Sequence, residues 1–120
     1  MADEITLNLK LAVDKSFLVQ KFDSSTQLVT MTGSTATGGV QTIGTTAEVL
    51  VMSDVTTSGY AYFRNTDAAI AIELGTGTTA FATFLKLKAG EVAVCRLSTN
   101  APTARAASTT ANLQYFILQD

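Results

Sequence analysis

The sequence predicts an all-β chain, an antiparallel β-sandwich of jelly-roll-like form with about 8–10 short strands. Three observations carry this: hydrophobic alternation by two, turn chemistry every few residues, and an abundance of threonine. About one residue in six is Thr, whose branched Cβ suits a pleated surface better than a helix.

The clearest alternation opens the chain. Ile5-Thr6-Leu7-Asn8-Leu9-Lys10-Leu11 sets four aliphatic residues on one face and Thr, Asn and Lys on the other. A helix would scatter those four around its axis. Further strands are expected at Phe17–Phe22, Gln27–Thr32, Val40–Ile43, Glu48–Ser53, Tyr60–Asn65, Ile70–Leu74, Phe81–Lys88, Val92–Leu97 and Leu113–Leu118.

Turn residues separate them. Lys88-Ala89-Gly90-Glu91 places a glycine where a tight hairpin needs positive φ. Asn65-Thr66-Asp67-Ala68 carries side chains able to bond their own backbone. Gly33 to Gly39 reads as a flexible loop, and Ser98–Thr110, with the only proline at Pro102, as a longer polar connection. The one place for a short helical turn is Ala104–Ala111. No repeat of fixed period is visible, which argues against a solenoid.

At 120 residues the expectation is a single β-sandwich domain over 1–120. The single cysteine, Cys95, cannot form an internal disulfide. Lying in Val92-Ala93-Val94-Cys95-Arg96-Leu97, it reads as a small buried apolar residue. No segment of signal-peptide type opens the sequence, and no apolar run approaches the ~20 residues that span a bilayer. The expectation is a protein made and used without export, with no membrane partner.

Only 15% of residues are charged, against about 25% in ordinary soluble domains. The net charge is -2 with eight basic residues scattered along the chain. Nucleic-acid binders concentrate Lys and Arg on one face and run basic, so no nucleic-acid partner is expected. A surface so short of charge would be sticky as a free monomer and suits burial against partners.

Two runs are apolar on both faces, Val49-Leu50-Val51-Met52 and Tyr115-Phe116-Ile117-Leu118. Each is a covered core strand or a subunit interface. Together with Tyr60, Tyr62 and Phe63, they make Val49, Leu50, Val51, Met52, Tyr115, Phe116, Ile117 and Leu118 the candidate interface residues, and self-association, as a homotrimer, the expected state.

Histidine is absent, which removes Ser-His-Asp and Cys-His catalysis and the usual imidazole metal sites. A carboxylate pair, Glu73 with Glu91, is conceivable, but each reads better as a solvated surface charge. Asp14, Asp23, Asp54 and Asp67 lack the dense spacing of a calcium loop. Gly75-Thr76-Gly77-Thr78-Thr79-Ala80 matches a dinucleotide fingerprint after a strand, yet a strand rather than a helix follows it. It reads as a hairpin loop. The group Tyr60, Tyr62, Phe63 and Arg64 could form a sugar platform, though packing between sheets is the simpler reading. No enzyme, cofactor or metal is expected.

The second half carries an ordered series: Gly59-Tyr60-Ala61-Tyr62-Phe63-Arg64-Asn65-Thr66-Asp67, Ile72-Glu73-Leu74-Gly75, Phe84-Leu85-Lys86-Leu87-Lys88-Ala89-Gly90-Glu91 and Leu113-Gln114-Tyr115-Phe116-Ile117-Leu118-Gln119-Asp120. It resembles small structural proteins of tailed-bacteriophage virions, over about the last 60 residues. The resemblance implies a subunit that decorates or cements a capsid, often as a trimer, with the major capsid protein or other virion subunits as partners. It also implies location in the virion after synthesis in the host cytoplasm. Tail or neck subunits, and a carbohydrate-binding adsorption module, are the alternatives.

Overall fold

A computed structural model describes residues 3–120. Its regular elements are all strands, paired antiparallel. They are β1 (Ile5–Lys15), β2 (Leu18–Val29), β3 (Ala36–Ile43), β4 (Glu48–Val49), β5 (Ser58–Asn65), β6 (Ile72–Thr76), β7 (Ala82–Leu87), β8 (Val92–Arg96), β9 (Thr103–Ala106) and β10 (Ala111–Gln119). The all-β antiparallel sandwich expected from alternation is present.

The chain divides into two compact units, Met1–Thr32 and Gly33–Asp120. The sequence reading expected a single β-sandwich domain over 1–120 from chain length, and the alternation, which looks the same in both units, does not mark the boundary between them. The second unit holds every buried hydrophobic side chain among the described residues, including Phe63, Ile72, Leu74, Leu113 and Ile117.

That second unit is two four-stranded sheets, ordered β3-β10-β5-β8 and β4-β9-β6-β7. The pairing is nested: β3 with β10, β4 with β9, β5 with β8, β6 with β7. A single long hairpin, closed at Gly77–Phe81, therefore runs through all eight strands. Rolling it brings β10 onto β5 and β9 onto β6. This is the wrapping of a jelly roll. Small residues at the center, Ala61, Ala104, Ala106 and Ala111, fill the core between larger aliphatics.

Turn chemistry explains the corners. Asn65 Oδ1 accepts from Asp67 N at 3.0 Å, and Asp67 Oδ2 accepts from Ala69 N at 3.0 Å and Ile70 N at 2.8 Å. Gly90 has φ 81°, and Glu91 N donates to Lys88 O at 3.0 Å. Both expected turns form. They do not close hairpins within a sheet, however, since each carries the chain from one sheet to the other. The Gly75–Ala80 segment does close a hairpin, with Gly77 at φ 86° and β7 after it.

Four strand boundaries depart from expectation. β3 begins at Ala36 and runs through Gly38 and Gly39, so the expected loop is mostly an edge strand. The stretch Ser98–Thr110 contains β9, hidden because Thr103-Ala104-Arg105-Ala106 has little β propensity of its own. Its place between β4 and β6 makes it a strand, and the helical turn expected over Ala104–Ala111 is absent. Glu48–Ser53 shrinks to Glu48–Val49.

The fourth departure is in the first unit, a two-stranded hairpin. The two strands expected at Phe17–Phe22 and Gln27–Thr32 are one, β2. Across Asp23–Ser25 a bulge interrupts the register between Asn8 and Lys10 of β1. Side chains replace the missing ladder bonds: Leu9 N donates to Ser24 Oγ at 2.9 Å, and Ser25 N to Asp23 Oδ1 at 2.8 Å. The extra residue changes the parity of β2, so that Phe22 and Val29 lie on the same face as Ile5 and Leu11.

Candidate interaction surfaces

In the jelly roll, β5 alternates inward and outward. Ala61, Phe63 and Asn65 are buried, whereas Tyr60, Tyr62 and Arg64 face away from the core. β10 does the same: Leu113, Tyr115 and Ile117 point in, and Gln114, Phe116 and Leu118 point out. Both strands are central in their sheet, so this outer face is continuous. One row across it reads Gly38–Phe116–Tyr62–Val94, and the next Val40–Gln114–Arg64–Val92. Val40 is 63% exposed, Val92 54% and Phe116 50%.

Charge frames one corner. The Arg96 guanidinium lies 4.6 Å from the centroid of the Tyr60 ring, and Arg96 Nη1 is 3.2 Å from Asp120 Oδ1. Both charged groups are well exposed, so the pair orients Arg96 more than it stabilises the fold.

The candidate interface residues therefore split. Leu50, Phe63, Tyr115 and Ile117 are core, at 1%, 0%, 5% and 0% exposure, and their side chains cannot meet a partner. Met52 is half-buried against the core. Val49, Val51 and Phe116 are exposed, and Tyr60, Tyr62 and Leu118 are half-buried on the outward side of their strands. The Tyr115–Leu118 run reads as apolar on both faces because one face is core and the other is this open sheet, whereas in Val49–Met52 Leu50 is core and Val49 and Val51, in and just after β4 of the other sheet, are exposed.

The hairpin is the second surface, and sequence reading missed it. Leu9, Leu11 and Val13 of β1 share a face with Leu18 and Phe22 of β2. They are 44%, 72%, 37%, 57% and 67% exposed. The alternation that marks this face was visible in the sequence, but alternation is equally the mark of a core strand.

Cys95 is half-buried, not enclosed as expected. β8 is an edge strand and β7 is the edge of the other sheet, so the core is open there. A cavity of about 230 Å³ lies at this edge, lined by Thr76, Phe84, Cys95, Arg96, Leu97, Ser98 and Thr99. Burial pushes the Cys95 thiol up from its ordinary pKa.

The remaining candidate groups are bound locally. Glu73 Oε1 accepts from Arg105 Nε at 2.9 Å across β6 and β9. Glu91 Oε1 accepts from Lys88 N at 2.7 Å within its turn. Among the described residues no three His, Cys, Asp or Glu side chains are grouped to hold a metal ion. The chain matches no protein-family model, no curated protein and no solved structure.

Proposed function

We propose that this chain is a structural protein of a bacteriophage particle, acting as a decoration or cement subunit on the assembled head. The observation that supports it is apolar surface beyond what the core uses, on the outer sheet face and along the hairpin. Exposed patches of this kind mark interaction surfaces. The assignment to a phage particle rests on the ordered strand series in the second half of the sequence.

Cement of this kind works by covering joints between shell subunits, here the major capsid protein. Each contact is weak, and homotrimeric engagement multiplies them through effective concentration. Binding is then strong on an assembled lattice and weak on isolated capsid subunits. Long flexible loops, expected at Gly33–Gly39 and Ser98–Thr110, are shortened by β3 and β9, so rigid strand faces carry the contact. Heating particles with and without the protein and following genome release tests this. Release at a lower temperature from depleted particles is the expected result; equal temperatures overturn it.

A second reading, a carbohydrate-binding adsorption module, draws on Tyr60 and Tyr62 sharing an outer face with Arg64 and Arg96. Aromatic faces beside hydrogen-bonding groups suit sugars. Binding to host-surface glycans that Tyr62→Ala removes, without change in particle heat stability, is the outcome that selects it over cement.

A further inference from the structure

We propose that β1 is the docking edge for a second copy of this chain, joined antiparallel with Ala12 opposite the partner's Ala12. This does not depend on the virion reading. A two-stranded hairpin alone is marginally stable in water, and three or more strands with an apolar face are needed. Pairing two hairpins makes four.

The two edges of the hairpin differ. β2 carries the bulge at Asp23–Ser25, with Ser25 at φ 56°, and a bulged edge resists strand addition. β1 runs eleven residues with neither proline nor an extra residue. Lys15 pairs with Leu18 across a two-residue turn. Alternating back from it, the backbone groups of Lys10, Ala12 and Asp14 point to the open edge.

Charge selects the register. In an antiparallel pair of identical strands, apolar faces coincide only when the center falls on a residue, because a one-residue slip flips every side chain. Centering on Ala12 sets Lys10 opposite the partner's Asp14 and Asp14 opposite the partner's Lys10. Centering on Lys10 or on Asp14 opposes like charges. Centering on Leu11 or Val13 opposes no charge to either. Both groups are free for this role. Lys10 lies across from Asp23, whose carboxylate already accepts from Ser25 N. Among the described residues the ion pairs are Arg96–Asp120 and Arg105–Glu73, and neither Lys10 nor Asp14 takes part in one.

The same register places Leu11 beside the partner's Val13 on the apolar face, twice. The contact is isologous and joins copies in pairs, whatever symmetry the jelly rolls adopt among themselves.

The test uses the full chain carrying Cys95→Ala, with one new cysteine. At Ala12 the two Cα atoms would be about 5.5 Å apart, within disulfide range. Ala12→Cys is expected to give a covalent dimer on mild oxidation. Asn8→Cys, displaced by eight residues from its own copy, is expected to give none. Sedimentation over a dilution series is expected to show Asp14→Lys falling to half its associated mass at a concentration roughly tenfold or more above that at which wild type does so, because two pairs are reversed. Asp14→Glu is expected to keep the wild-type mass, and circular dichroism checks that each variant is folded. No Ala12 cross-link, or an Asp14→Lys mass equal to wild type at every dilution, overturns the proposal. A protein that still raises the temperature of genome release in that event leaves the cement reading standing.

Discussion

The side chain of Asn65, at the end of β5, donates from Nδ2 to the carbonyl of Leu87, at the end of β7, across 3.0 Å. The two residues belong to different sheets, and Asn65 is 0% exposed. Its Nδ2 also donates to Ile70 O at 2.7 Å, while its Oδ1 accepts from Asp67 N. One buried amide thus ties both sheets to the turn between them.

Replacing Asn65 by Leu strands two carbonyls and an N–H at the sheet junction. The expected cost is about 2–4 kcal/mol, since unsatisfied buried groups cost more than the bonds they lose. Asn65→Asp should also destabilise at neutral pH, because a carboxylate would face two carbonyl oxygens. Urea unfolding measures both; a loss below about 1 kcal/mol for Asn65→Leu would sink the tie.

Tyr115 makes a second tie. Its hydroxyl donates to Val51 O at 2.9 Å, from β10 to the segment after β4. Burial pushes the phenol up from its ordinary pKa, and the bond to Val51 opposes this in part. Tyr115→Phe keeps the packing and loses the bond, for an expected cost of about 1 kcal/mol. The same unfolding measurement checks it, with an unchanged midpoint as the contrary result.

Asp67 gives a dependence on pH. Hydrogen bonds from Ala69 N, then Ile70 N, hold its carboxyl below the ordinary carboxylate value. A depressed folded-state pKa gives stability that is fully present above the unfolded value, about 3.9. That stability is lost as pH falls through the folded value. Thermal melts of wild type and Asp67→Asn should therefore differ at pH 6 and converge toward pH 2. A difference that stays constant over that range would contradict the assignment.

Cys95 should react slowly with a small thiol reagent at pH 7 and faster at alkaline pH, since burial disfavours the thiolate. The cavity at the β7–β8 edge gives the reagent a path, so labelling without unfolding is expected. Cys95→Val should keep the fold at a cost of no more than about 1.5 kcal/mol. Labelling only on global unfolding would show that the edge is closed.

The sequence by itself determined the strand class, most strand positions and the corner chemistry. Period-two alternation and side chains such as Asn65 and Asp67, which bond within their own turn, act over a few residues. They read the same in any context. The two runs apolar on both faces were also legible, because Tyr115 and Ile117 alternate with Phe116 and Leu118. Which of these faces inward was not, since alternation names two faces without saying which one is covered. Only the tertiary structure decided that Phe63 and Tyr115 are core, that Phe116 and Tyr62 lie on an open sheet, and that Ile5–Val29 stands as a hairpin of its own. It also made a strand of Thr103–Ala106, where only Thr103 has the propensity, because β4 and β6 supply hydrogen bonds on either side. Long-range pairing sets burial, and burial separates a core strand from a docking edge of the same composition.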